Sequence, residues 1–152
     1  MDINKLLADL KSKNKTTREK AVDELALAQD PKAIDDLIQV LKKDKHGSVR
    51  RRVALALGRI GGDVCKEALN EAMINDKDEE TRKNSAIALG NFGDERAILP
   101  LYEFMQKPKE NNFFDSLDRA RINKVLNELT QRKMQGTIEK LVEWRKQRID
   151  KM

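Results

Sequence analysis

Cysteine and histidine each occur once in the 152 residues, as Cys65 and His46. A disulfide framework needs pairs and a zinc or haem site needs a cluster of ligands, so neither is available, and no metal or cofactor is expected. A lone thiol fits a reducing compartment. Aromatic residues are 4% of the chain, thin for a surface that stacks bases or holds a flat cofactor. Three prolines and seven glycines exclude collagen-like and Pro-rich classes. No apolar run approaches the roughly 20 residues of a membrane-spanning helix, and Met1-Asp2-Ile3-Asn4-Lys5 lacks a signal peptide's apolar segment. The expected location is therefore cytoplasmic, with no membrane contact. Nucleophilic triads, Gly-rich phosphate loops and His-Glu-x-x-His are missing as well, and the chain reads as a protein that is not an enzyme.

What is present is regular. Hydrophobic residues are 39% and charged residues 38%, and the aliphatic ones recur at a fixed period. Arg18, Arg50 and Arg82 are 32 residues apart, and the same shift superposes Leu25, Leu57, Leu89 and Leu37, Leu69, Leu101. Further columns are Val22, Ala54, Ala86, then Ala26, Gly58, Gly90, then Ala33, Cys65, Ala97. Within each unit apolar residues recur at three and four, which predicts two helices separated by a short break. The breaks are Gln29-Asp30-Pro31, Gly61-Gly62-Asp63 and Gly93-Asp94-Glu95, where glycine ends one helix and aspartate caps the next. The small column Ala26, Gly58, Gly90 is expected to let the first helix of a pair approach its partner.

These units divide residues 1–152 into a single domain: a capping helix in 1–13, regular repeats in 14–46, 47–78 and 79–110, and a divergent repeat in 111–152. In the last, Arg119, Leu126, Leu129, Leu141 and Val142 match the third unit at a shift of 37, so about five extra residues enter the linker Lys107–Asn112. Leu6, Leu7 and Leu10 mimic a second helix, as expected of a cap that closes an exposed core. Lys plus Arg exceeds Asp plus Glu by 31 to 26, a net of +5. Residues 111–152 carry +4 of it.

The second unit reads Asp44, Val49-Arg50, Ala54, Ala56-Leu57-Gly58, Ile60-Gly61, Leu69, and the third Asp76, Thr81-Arg82, Ala86, Ala88-Leu89-Gly90, Phe92-Gly93-Asp94. In these residues the chain resembles the HEAT-like repeat family, in the short variety named after the phycobilisome lyases. The first unit departs, with Ser12 for the aspartate and Ala26 for the glycine. The resemblance implies an all-α, right-handed α-α superhelix of about four helix pairs, acting as a protein-interaction scaffold, adaptor or assembly factor. It also leaves open a nucleic-acid-binding protein and a bilin-lyase-like accessory protein, because the fold hosts several roles.

Candidate residues follow. Arg18, Arg50 and Arg82, with Asp44 and Asp76 in the inter-repeat turns, form structural ion pairs on the rule that buried arginine is paired. Cys65 lies in a small-residue core column and reads as an inert hydrophobe. His46 falls in a turn and is expected to be exposed. Arg51, Arg52, Lys20 and Lys83 make a basic stripe on the first helices, interrupted by Glu19, Asp23, Glu24, Glu79 and Glu80. With the basic C-terminus this stripe is what a nucleic-acid partner would use. Phe113 and Phe114, just before a cap expected at Asp115-Ser116, either staple the linker onto the last unit or anchor a partner. Trp144 with Arg145 and Arg148 either closes the stack or forms a recognition spot. The second helix of each pair is expected on the concave side. Its outward residues Asp35, Asp36, Gln39, Glu67, Glu71 and Glu103, nearly continued by Glu139 and Glu143, make an acidic ridge suited to a basic segment of a protein partner.

Overall fold

The computed structural model describes residues 2–134 and 136–151. Among them are nine α-helices and no strand: α1 Ile3–Asp9, α2 Lys15–Ala28, α3 Ile34–Lys43, α4 Gly47–Ile60, α5 Asp63–Asn75, α6 Glu79–Asn91, α7 Ile98–Gln106, α8 Phe113–Lys133 and α9 Ile138–Asp150. Two single 3₁₀ turns, Pro31–Ala33 and Glu95–Ala97, lead into α3 and α7.

Local chemistry sets the boundaries. Asn14, Asp78, Asn112 and Thr137 cap α2, α6, α8 and α9, each side-chain oxygen accepting from the backbone N–H three residues on. In the inter-repeat turns Ser12 Oγ, Asp44 Oδ1 and Asp76 Oδ1 each accept from the N–H two residues on, a local turn that halts the preceding helix. The breaks inside the pairs need positive φ after the first helix, at one residue in the first and third units and at two, Gly61 and Gly62, in the second. Gly61 and Gly93 sit there at φ 85° and 77°, and the equivalent position of the first unit is Gln29 at φ 51°, where a Cβ is strained.

Packing follows the 32-residue period. The columns Val22/Ala54/Ala86, Leu25/Leu57/Leu89, Leu37/Leu69/Leu101 and Ala33/Cys65/Ala97 are all 0% exposed. One core runs from Leu6 and Leu10 at one end to Leu141 and Val142 at the other, so each helix pair buries its apolar face against its neighbours. The chain is an all-α solenoid: α2/α3, α4/α5, α6/α7 and α8/α9 are stacked pairs, and α1 covers the open end at α2. The small column works differently from expectation. A Cβ on Gly58 would lie 2.9 Å from Ala88 Cβ, on the first helix of the next pair, and one on Gly90 would lie 2.5 Å from Val125 Cγ1 of α8. Only Gly90 also faces its own partner helix, through Leu101 of α7 and Ala97 of the turn that leads into it. The glycines therefore draw successive first helices together.

Candidate functional site

The repeated arginines clamp the turns on either side of them. Arg18 Nη1 donates to the carbonyl of Ser12 in the turn before it, while its Nε and Nη2 donate to both carboxylate oxygens of Asp44 in the turn after it, at 2.7 and 3.2 Å. Arg50 repeats this with the Asp44 carbonyl and with Asp76 at 2.9 and 3.0 Å. Both arginines are buried. Burial alone would push the Asp44 carboxyl up, but the bonds from Arg18 and the His46 N–H outweigh it and hold it below the ordinary carboxylate range. The bond to Asp76 raises Arg50. Each carboxylate pairs with the arginine of its own unit and offers its backbone carbonyl to the arginine of the unit that follows. His46 is half-buried, not free in solvent, and since a guanidinium has no acceptor, its Nδ1 accepts from Arg18 Nη2 at 3.1 Å.

Arg82 departs from the pattern. It donates to the Asp76 carbonyl, but the next turn has Pro108 where the period would place an aspartate. Arg119 takes over that joint, donating to the carbonyls of Met105, Lys107 and Pro108 and pairing with Asp115 at 2.8 Å.

Three surface recesses lie along the first helices. One, of about 580 Å³, opens between α4, α6 and the start of α8, with Arg51, Leu55, Lys83 and Phe114 on its walls. A second of equal size follows α2 and α4, lined by Asp23, Leu27, Arg51, Arg52, Arg59 and again Phe114. The third, of about 320 Å³, sits between α4, α6 and α8, with Leu55, Gly58, Ile87 and Val125 below and Arg59, Arg121 and Lys124 around it. Leu55 borders all three, and Phe114 of α8 reaches the recess that holds Leu27 of α2. Leu27 and Leu55 are 69% and 39% exposed. Arg52 pairs with Asp23, and Lys83 with Asp118 at 2.7 Å and Glu80 at 2.9 Å. Desolvation alone would lower Lys83, but these two carboxylates hold it above its usual value. Among the described residues Arg51, Arg59 and Lys124 have no carboxylate within ion-pair distance.

The acidic ridge lies on the other layer. Asp35, Gln39, Glu67, Glu71 and Glu103 are exposed and Asp36 half-buried. Glu67 already pairs with Arg96 at 2.9 Å. Two recesses lie on this layer, one of about 210 Å³ between α3 and α5 with Glu71 on its border, and one of about 360 Å³ along α9 with Glu139 and Glu143 on its border.

A family model for HEAT repeats matches residues 3–73, and one for the PBS lyase HEAT-like repeat matches residues 81–107. The chain belongs to the HEAT-like repeat family. HEAT repeats generally serve as protein-interaction scaffolds, and the two matches span α1 to α7, leaving the divergent last pair outside them. No curated protein matches the chain.

In this HEAT-like chain the remaining candidates fall as follows. Phe113 and Phe114 are 73% and 74% exposed and touch each other edge to face at 5.8 Å. They do not staple the linker. The cap is Asn112, earlier than expected, which makes the two rings the first residues of α8 and turns them outward. Trp144 packs half-buried on the core, with the Arg148 guanidinium 4.9 Å from its ring centroid. Arg145 and Arg148 grip Glu95 of the third unit at 3.2 and 2.8 Å, so both arginines are paired within the chain, Arg148 at the surface. Burial raises the Cys65 thiol, which disfavours its nucleophilic thiolate. Among the described residues no group of three or more His, Cys, Asp or Glu converges as a metal site, and no helix is long and apolar enough to cross a membrane.

Leu27 and Leu55 were not singled out by the periodic reading. The signal for Leu55 is the column Asp23, Leu55, Ile87 of the first helices, in which apolar residues replace a charge in the two middle units, whereas Leu27 shares its column with Arg59 and Asn91. Periodicity for the core passes over such positions because it scores the opposite face.

Proposed function

We propose that the chain is a protein-recognition scaffold, an adaptor or assembly factor, that grips its partner on the face formed by the first helices of its pairs. The observation that carries this reading is the set of three recesses meeting at Leu55, on rigid helices and bordered by exposed Leu27 and Phe114. Exposed apolar side chains gathered with arginine are the composition of interface anchors. Rigid repeat elements hold them with little ordering cost on binding. The test is to place a photo-crosslinking benzoylphenylalanine at position 55 or at position 71 of the full chain in its native cells. A protein adduct from position 55 and none from position 71 is expected; the reverse would refute the assignment of the face.

The reverse outcome is the second reading, in which a basic segment of a partner lies along Asp35, Asp36, Gln39, Glu67, Glu71 and Glu103. It is favoured by the position of Glu71 beside the recess between α3 and α5. It ranks lower because Glu67 is occupied by Arg96, and Lys42 stands on the rim of that recess.

A further inference from the structure

The recess between α4, α6 and α8 has an unusual charge pattern. Its polar rim carries Arg59, Arg121 and Lys124 and no carboxylate, while its floor is Leu55, Ile87 and Val125. Arg59 and Lys124 lack an ion-pair partner among the described residues, and Arg121 has only Asp118 at 3.9 Å, the far limit of such a contact. Gly58 and Ala88 bring α4 and α6 into close contact in the middle, so no long side chain rises there, and Leu55, partly exposed, is the apolar surface open to a large apolar group. We infer that this recess binds an acidic segment of a partner protein, seating one large apolar side chain on Leu55 with carboxylates on Arg59, Arg121 and Lys124; the inference rests on the first-helix face being the recognition face.

Two features favour an acidic peptide over a nucleic acid. The positive field is short: Asp23 stands at one side, and Glu79, Glu80 and Asp118 at the other. A nucleic-acid strand carries a phosphate at every nucleotide and would run over those carboxylates, whereas a peptide can place its few acidic groups only where the cations are. The floor is also aliphatic, which suits a leucine or phenylalanine side chain and gives a base no aromatic surface to stack on.

The experiment selects phage-displayed random 16-residue peptides on the immobilised full chain. The enriched peptides are then titrated as fluorescent synthetic versions against wild type and three variants whose helical melting curves confirm folding. The variants are Leu55→Asp, the triple Arg59→Glu with Arg121→Glu and Lys124→Glu, and the triple Glu67→Lys with Glu71→Lys and Glu103→Lys. Enriched peptides are expected to be net acidic with apolar residues at three-four spacing. They should lose tenfold or more in affinity with each of the first two variants and stay within twofold with the third. Neutral or basic peptides that nevertheless depend on Leu55 would overturn the acidic partner while leaving the first-helix face in place. Peptides indifferent to Leu55→Asp, or no enrichment at all, would overturn both. Displacement of the peptide by an equimolar 20-nucleotide single-stranded DNA would overturn it in favour of a nucleic-acid surface. Self-association of wild type that the Arg59/Arg121/Lys124 reversal abolishes would overturn it in favour of a second copy of the chain.

Discussion

The first three helix pairs and the last one are joined by different chemistry. Between the regular pairs a buried arginine reaches both neighbouring turns, Arg18 to Asp44 and Arg50 to Asp76. At the last joint Arg82 has no such carboxylate, a linker of six residues intervenes between α7 and α8, and Arg119 holds it through two linker carbonyls and one at the end of α7. The regular part gains rigidity from repetition. The divergent part supplies what repetition cannot: Phe114, Arg121 and Lys124 of α8 complete the recesses that the first helices begin. On the proposed reading, stability and recognition lie on opposite sides of the same departure from the period.

The largest expected effect breaks a regular joint. Asp76→Ala leaves Arg50 buried without its partner and should cost about 3 to 5 kcal/mol, whereas Arg82→Ala, which removes one bond from a half-buried side chain, should cost about 1 kcal/mol. Urea denaturation of both variants measures the contrast, and equal losses would abolish the distinction between the joints. Core truncation gives a similar scale: Leu57→Ala or Leu89→Ala, both fully buried, should lose about 2 to 5 kcal/mol, and Leu25→Ala the same, since the period puts it in that layer.

Next comes the approach of the last pair. Gly90→Ala would set a Cβ 2.5 Å from Val125 Cγ1, so α8 must shift away from α6. A loss of about 1 to 3 kcal/mol is expected from overpacking, together with faster amide exchange in α8 and α9 than in α2 to α5. Uniform exchange across the chain would mean that the last pair is docked as firmly as the others.

Acid should act on the regular joints too. The Asp44 carboxyl is held below its unfolded value, so its contribution is present above about pH 4 and is lost as pH falls through the lower folded value. The urea midpoint of wild type should therefore drop between pH 7 and pH 3 by more than that of Asp44→Asn; identical drops would remove Asp44 from the linkage.

The smallest effect has the opposite sign. Gln29 occupies the left-handed position that Gly61 and Gly93 fill in the other units. Gln29→Gly should stabilise by up to about 1 kcal/mol, reduced by loss of its bond to the Arg59 carbonyl. Thermal unfolding would show it as a small rise in Tm.

The fold was legible because the period is uninterrupted over three units. Columns such as Leu25/Leu57/Leu89 have one physical requirement, exclusion of water, and it acts identically in each unit. The arginine column was legible for the same reason, although which turn each carboxylate serves depends on how the units stack. The glycine column misled in direction: a small residue announces a close neighbour without saying which helix it is. The position of Phe113 and Phe114 depends on a cap at Asn112, where the insertion has erased the repeat. The recesses were least legible, because they arise where α8 meets α4 and α6, and no residue of one helix encodes that meeting.

Recognition by the first-helix face is tested most directly by methyl NMR of the full chain with its leucine, valine and isoleucine methyls labelled, titrated with a bound protein partner or a selected peptide. The largest shifts should fall on Leu55, Ile87 and Val125, with Leu27 following and Leu41, beside Glu71, unmoved. Shifts centred on Leu41, with Leu55 silent, would place recognition on the second helices and contradict the assignment.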